Sequence, residues 1–224
     1  MTASLQRPVR LAVFDLDHTL IATDCSEQWA LEMQRRGWIG SPDFWSQHRQ
    51  MMQEYDQGVL CMDSYLRLNL SPMIGLEYSY IEAVAEQFVA EQLTRLVYPS
   101  AHTLLSEHRV RGDHLLMISA SEEFLVKPMA RFLGFDGAIG IGIAQENGRI
   151  TGEPLYPLSY REGKIECLQA YLADTGLQPN HTCFYSDSHN DLPLLEWVDQ
   201  PCPINANYLL RQEASRRQWQ LLNL

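Results

Sequence analysis

The sequence predicts an α/β protein, a doubly wound parallel sheet with an all-helical segment inserted after the first strand. Three observations carry this. Short runs of consecutive apolar residues, without polar alternation, end in carboxylate or hydroxyl residues. Such runs suit strands buried on both faces of a parallel sheet. Helical patterns lie between them, and alternating strand and helix is how such sheets are wound. The stretch from about residue 23 to about residue 99 instead holds helix after helix and no clear strand.

Taken in order, the first strand is Leu11-Ala12-Val13-Phe14, ending at Asp15. In the helical segment, Ser41-Pro42 reads as an N-cap followed by proline at the first helical position. Phe44, His48, Met51, Met52 and Tyr55 then form one apolar stripe. Ser79 with Glu82 reads as a capping box ahead of Ile81, Ala85 and Phe88, and Gly58 and Pro72 break the segment between the helices. An insert of this size after the first strand predicts a lid over the carboxyl ends of the strands.

The second strand is Leu115-Leu116-Met117-Ile118, ending at Ser119. A helix from Glu122 to Leu133 follows, which Pro128 should kink or split. Between Ile139 and Pro154, Ile141 and Ile143, then Asn147-Gly148, then Ile150 predict a β-hairpin appended to the core. Ile165, Leu168 and Leu172 recur at helical spacing, and Gly176 closes that helix. Cys183-Phe184-Tyr185 is the third buried strand, ahead of Ser186-Asp187. Cys202-Pro203-Ile204 reads as an edge strand, because proline cannot donate to a ladder.

Composition narrows the function. The chain has 224 residues, 46% hydrophobic and 20% charged, with five Trp and ten Tyr, which is the profile of a folded soluble protein. A formal net charge of −11 repels nucleic acid and anionic membranes, leaving room only for a local pocket that takes a small anion. The five cysteines are odd in number and widely spaced, so neither a disulfide framework nor a structural zinc site is expected. No apolar leader or 18-residue apolar run stands out, which predicts a cytoplasmic protein without membrane insertion.

Asp15 and Asp17 sit two apart at the carboxyl end of the first strand, where open α/β sheets bind ligands. Strand geometry continued through them would turn both carboxylates to one side. Two acids so close resist joint ionisation unless a cation holds them, an arrangement suited to a divalent metal with one nucleophile and one acid/base. A calcium loop also begins Asp-x-Asp, but its sixth position here is Leu20 and its twelfth Ser26, so it fails. A pair of solvated turn aspartates is the other reading of this segment.

Ser186-Asp187-Ser188-His189-Asn190-Asp191 places two more acids after a buried strand, either completing an oxygen-rich site or forming an ordinary polar turn. Ser119-Ala120-Ser121 offers small residues where backbone N–H groups and a hydroxyl can approach a phosphate. Ser121 is expected to cap the helix that follows. Lys164 alone reads as a solvated lysine.

Asp15-Leu16-Asp17-His18-Thr19, Ser119, Lys164 and Asp187-Ser188-His189-Asn190-Asp191 stand in the order and contexts of the four motifs of the haloacid dehalogenase superfamily. The wording around Ile118-Ser119-Ala120-Ser121, Tyr160–Lys164 and Tyr185–Leu195 is similar to its phosphoserine-phosphatase-like branch, and within it to histidinol-phosphatase-like hydrolases. The resemblance covers nearly the whole chain. It implies a Rossmann-like core (residues 1–22 and 100–224) and a C1-type helical cap (23–99). It also implies a phosphatase using Mg2+ and an aspartyl-phosphate intermediate on a small phosphate monoester.

By the same resemblance, Asp15 is the nucleophile and a metal ligand. Asp17 is the acid/base, with its backbone carbonyl on the metal. Ser119 and the Ala120 amide hold phosphate oxygens, Lys164 neutralises charge, Asp187 binds magnesium and Asp191 supports the site. Asp24 lies where the similar subfamily carries an acid that meets a substrate ammonium, and equally where it would cap the first inserted helix. Amino-alcohol phosphates such as histidinol phosphate or phosphoserine are the leading substrates. A lipid-derived phosphate against the Trp and Met stripe, or a non-enzymatic phospho-receiver module, are the rivals.

Overall fold

The structure, a computed structural model, describes residues 9–224. Most of the N-terminal stretch read for a leader lies outside the described residues. β1 (Val9–Phe14) is followed by four helices, α1 (Cys25–Arg35), α2 (Phe44–Asp56), α3 (Met62–Leu70) and α4 (Tyr78–Glu91). Then come α5 (Pro99–Arg111), β2 (His114–Glu122), α6 (Glu123–Leu133) and β3 (Gly137–Ile141). The hairpin strands β4 (Ile143–Glu146) and β5 (Arg149–Pro154) precede α7 (Gly163–Thr175) and β6 (Pro179–Ser186). α8 (Leu192–Trp197), β7 (Gln200–Pro203) and α9 (Tyr208–Arg217) complete the chain.

Five strands form one parallel sheet in the order β3-β2-β1-β6-β7, with β1 at the centre. The chain leaves β1 toward β2 on one side and reaches β6 on the other. β1 is therefore the switch point, where a crevice opens at the strand carboxyl ends. Side-chain alternation along the strands divides the core in two. Ala12 and Phe14 face a cluster with Met117, Tyr185 and the inner faces of α4, α5 and α6, whereas Leu11 and Val13 face Leu168, Leu194 and Leu210 of α7, α8 and α9. β7, with its two prolines, lies at the sheet edge as expected.

Four local readings change. Ile139 and Ile141 belong not to the hairpin but to β3, which pairs with β2 as an edge strand of the main sheet. The hairpin itself is β4–β5, turned by Asn147 and Gly148, both at positive φ as a tight two-residue turn requires. Ser79 is no cap: α4 starts at Tyr78 after Glu77, and its first amide donates to the Gly148 carbonyl at the hairpin turn (2.8 Å). Ser41-Pro42 forms a turn before α2, which begins only at Phe44. α6 runs unbroken through Pro128, because Phe124, Leu125, Met129 and Leu133 bury its apolar face and outweigh one lost backbone bond.

The inserted helices serve two layers. Trp29 of α1 packs between Phe88 of α4 and Phe124 of α6, each at 5.4 Å between ring centroids, within the same apolar cluster as Phe14. α2 and α3 contribute to a separate small cluster, Leu60, Met62, Tyr65 and Leu66 against Ile141, with Ala120 and Tyr160 at its border. That cluster brings Met52, Tyr55, Met62 and Tyr65 to the crevice above the strand ends.

Candidate active site

Register brings the acids together. Phe14 pairs with Met117 on one side and Tyr185 on the other, so Asp15, Ser119 and Asp187 all emerge within two residues of the same sheet edge. The Asp15 amide continues the ladder by donating to the Tyr185 carbonyl (2.9 Å). Thr19 then ties two strand ends: its hydroxyl lies 3.2 Å from Asp15 Oδ2 and 3.1 Å from Asp187 Oδ1, and it accepts the Asp187 amide at 3.0 Å. Thr19 stood inside the first acidic segment without a role of its own, and nothing local marks it as the bridge.

Lys164, at the start of α7, is only 1% exposed: it is not the solvated lysine that its segment alone suggests, and it stands beside the acids, as the resemblance implies. Its Nζ lies 2.9 Å from Asp15 Oδ1 and 2.7 Å from Asp191 Oδ1. Asp191 also accepts from Ser186 Oγ at 2.7 Å. Burial disfavours the ammonium, but Asp15 and Asp191 outweigh it and hold the Lys164 pKa above its usual value. Two buried carboxylates thus flank this cation, and a third, Asp187, is buried on the far side of Thr19. Burial pushes Asp15 up to about 7, against the pull of Lys164, and burial followed by repulsion from Asp15 raises Asp187 well above the usual range.

That excess of buried negative charge fits a cation. Among the described residues no three His, Cys, Asp or Glu side chains form a ready cage. Asp15 and Asp187, side by side on Thr19, supply two carboxylates, and magnesium habitually completes such a pair with backbone, water and phosphate oxygens. The donor set, all oxygen and doubly anionic beyond its lysine, suits Mg2+ rather than a thiolate-loving or imidazole-loving metal.

Asp17 turns away from this pair. Its Oδ1 accepts the Cys25 amide at 2.7 Å, and its Oδ2 accepts from Ser121 Oγ at 2.7 Å and from Ser119 Oγ at 3.2 Å. Ser121 therefore does not cap α6, whose N-cap is Glu122. It holds Asp17 instead, because β2 runs on to Glu122 and keeps Ser121 buried in the strand. Ser119 is fixed in turn by Ser159 Oγ, which donates to the Ser119 carbonyl at 2.6 Å. Ala120 lines the crevice beside them.

The crevice holds a cavity of about 340 Å3 lined by Asp15, Asp17, Asp24, Ala120 and Asp187, with Met52 and Tyr55 from α2 and Met62 and Tyr65 from α3. Asp24 caps α1, accepting the Glu27 amide through Oδ1 at 2.8 Å, and it lines the cavity as well, so its two expected positions coincide. Burial and then the nearby Asp17 raise its pKa well above the usual range. Asp56, at the end of α2, and Asn205 and Asn207 also line the cavity, and sequence reasoning missed them because nothing local distinguishes them from ordinary surface polar residues.

Comparison with known proteins identifies the family. Residues 12–196 match the family model of haloacid dehalogenase-like hydrolases. A histidinol-phosphatase of Neisseria meningitidis is 34% identical over 217 residues, spanning 95% of this chain and 98% of its own. A Bordetella pertussis protein of unknown function, 32% identical, superposes with a TM-score of 0.87 over 96% of this chain and 99% of its own. A substrate-bound phosphoserine phosphatase shares the fold at a TM-score of 0.70 and 18% identity, over 97% of this chain and 94% of its own. The chain belongs to the haloacid dehalogenase-like hydrolases and, within them, to the phosphatases.

Proposed function

We propose that the protein is a magnesium-dependent phosphomonoesterase acting through Asp15, on a small phosphate monoester that carries an amino group and no carboxylate, as histidinol phosphate does. The observation that carries the substrate reading is the charge of the cavity wall. Asp24 and Asp56 line it, and among the described residues no Lys or Arg does. A substrate ammonium would meet Asp24, whose Oδ2 takes part in no hydrogen bond among the described residues. A substrate carboxylate would meet these aspartates with no lysine or arginine among the described wall residues to offset them, which disfavours phosphoserine. The 34% identical relative named histidinol-phosphatase supports the same choice. The cavity's size and its wall of carboxylates argue against a lipid-derived phosphate, and membership of a hydrolase family argues against a phospho-receiver.

In this reading the phosphate sits between Lys164, Ser119 and the Ala120 amide, with its phosphorus in line with Asp15. A phosphate dianion repels an attacking carboxylate, so its charge has to be cancelled before attack. Lys164 does part of this from 2.9 Å beside Asp15. Asp15 and Asp187, with the Asp17 carbonyl, would hold Mg2+, which supplies the remaining charge neutralisation when bound. Asp15 attacks phosphorus, and Asp17 gives its proton to the leaving oxygen. Asp17 then takes a proton from the water that hydrolyses the aspartyl-phosphate. We propose that residues 23–99 act as a cap, with α2 and α3 closing over the substrate and excluding bulk water.

The test is Asp24→Asn on two substrates. Losing a charge-assisted hydrogen bond of about 1.5–3 kcal/mol should lower kcat/KM for histidinol phosphate by roughly 10- to 150-fold. Hydrolysis of p-nitrophenyl phosphate, which has no ammonium, should change little. Equal losses on both substrates, or none on either, would remove Asp24 from recognition.

A further inference from the structure

Behind the crevice lies a carboxylate that the mechanism above leaves without work. Glu122, where β2 meets α6, is 1% exposed. Its Oε2 lies 2.8 Å from Ser26 Oγ, and its Oε1 has no hydrogen-bond partner. The titratable groups facing it from neighbouring elements are Asp17 after β1, Asp24 and Cys25 at the start of α1, and Tyr65 of α3. None of these is basic.

Ser26 connects this carboxyl to Asp17. Ser26 Oγ lies 3.2 Å from Ser121 Oγ, and Ser121 Oγ lies 2.7 Å from Asp17 Oδ2. Each hydroxyl has one hydrogen to give. Ser121 gives its hydrogen to Asp17, so the contact between Ser26 and Ser121 is a hydrogen bond only if Ser26 donates. Ser26 is then unable to donate to Glu122 as well. The 2.8 Å contact is satisfied only if Glu122 carries a proton and donates to Ser26. An ionised Glu122 would take the Ser26 hydrogen and leave two hydroxyl lone pairs facing each other. It would also leave a buried charge with a bare oxygen and no cation near it, which is the costlier state. Burial, the leading influence on its pKa, pushes in the same direction.

We propose that Glu122 is a neutral positioning residue, the first donor of a one-way chain Glu122–Ser26–Ser121–Asp17 that orients the Asp17 carboxylate. The proposal rests on Asp17 being the acid/base. Through the chain, α1, β2 and the loop after β1 share one hydrogen-bond direction, and Ser121 is held with its hydrogen toward Asp17. Ser119 and the Cys25 amide supply the other contacts to that carboxylate, so the chain tunes its orientation and does not hold it alone.

The experiment compares Glu122→Met, Ser26→Ala, their double variant, Glu122→Gln and Asp17→Asn, each on histidinol phosphate and on p-nitrophenyl phosphate. Leaving-group dependence is the readout, because a misplaced acid harms an alkoxide leaving group and spares a nitrophenolate. Glu122→Met and Ser26→Ala should each lower kcat on the alkyl phosphate by about 10- to 100-fold, as small misplacements of catalytic groups do. Both should lose far less on the aryl phosphate.

The double variant should be no worse than either single one, since the two residues act through one chain. Glu122→Gln keeps a donor toward Ser26 and should recover most of the rate. Equal losses on the two substrates, additive losses in the double variant, or a Gln variant as poor as the Met variant would each overturn the chain. If Asp17→Asn shows the leaving-group signature and the Glu122 and Ser26 variants do not, the proposal fails while the Asp17 reading survives. If Asp17→Asn lacks the signature, both fail.

Discussion

Replacing Asp187 with Asn should inactivate the enzyme and yet stabilise its metal-free form. Asp15 and Asp187 each place an oxygen within 3.2 Å of Thr19 Oγ1, so those oxygens lie no more than about 6 Å apart. At an effective dielectric of about 20, two unit charges at that distance repel by roughly 2–3 kcal/mol. Asn keeps the oxygen that accepts from Thr19 and removes the charge. In a protein of this length the gain corresponds to a melting temperature higher by about 4–12 °C in chelator at pH 8.

The size of the gain depends on pH. The folded Asp15 and Asp187 carboxyls lie above their ordinary values because of burial, Asp15 at about 7. A carboxyl raised in the folded state binds its proton more tightly there, so its destabilising effect grows as pH climbs from the unfolded value toward the folded one. The advantage of Asp187→Asn should therefore shrink between pH 8 and pH 5. Magnesium should reverse the ranking, raising the melting temperature of the wild type and much less that of the variant. Differential scanning fluorimetry with and without chelator at the two pH values measures all of this. A variant that melts below the wild type in chelator at pH 8 would refute the charge-excess argument.

Three further outcomes are expected. Activity should vanish in chelator, return with magnesium and be inhibited by calcium, whose larger coordination number would engage both Asp15 oxygens; turnover in excess chelator would remove the metal from the mechanism. Asp15→Asn should abolish turnover and any phosphoenzyme trapped by acid quench, whereas Asp17→Asn should keep most activity only on good leaving groups; near-normal rates in Asp15→Asn would rule out a covalent step. Away from the site, His108 is buried with Nδ1 2.8 Å from Asp113 and Nε2 2.9 Å from the Tyr185 hydroxyl, and burial lowers its pKa despite the pull of Asp113. Its stabilising contribution is present above the unfolded value of about 6.5 and falls by up to about 1.4 kcal/mol per pH unit below it. Urea unfolding at pH 7 and pH 5 should show a shallower loss in His108→Gln, and an unchanged slope would refute this.

The chain by itself determined the parallel sheet, the strand ends on which Asp15, Ser119 and Asp187 stand, the Asn147-Gly148 hairpin and the run of helices between β1 and β2. Those features are written in residues within a few positions of one another: an unbroken apolar run, a turn dipeptide, a 3.6-residue stripe. Where two local signals competed, neighbours in space decided. Ile139 and Ile141 fit a hairpin by pattern, but β2 was there to pair with them. Ser79 fitted a capping box, but the Gly148 carbonyl met the first amide of α4 instead.

Read segment by segment, the site's chemistry was legible only as separate acids, and it was the resemblance that set Ser119, Ala120 and Lys164 beside them. What joins them lies far apart in sequence: Thr19 reaches across 168 positions to Asp187, Lys164 across 149 to Asp15, and Ser121 across 104 to Asp17. No local pattern encodes such pairs, because they depend on how the crossovers stack the strand ends. Tertiary structure buried Lys164 between two carboxylates, gave Ser26 partners in Ser121 and Glu122, and left the cavity wall without a lysine or arginine among the described residues. Burial is the physical reason these choices matter, since removing a charge from water makes each of its few neighbours decisive.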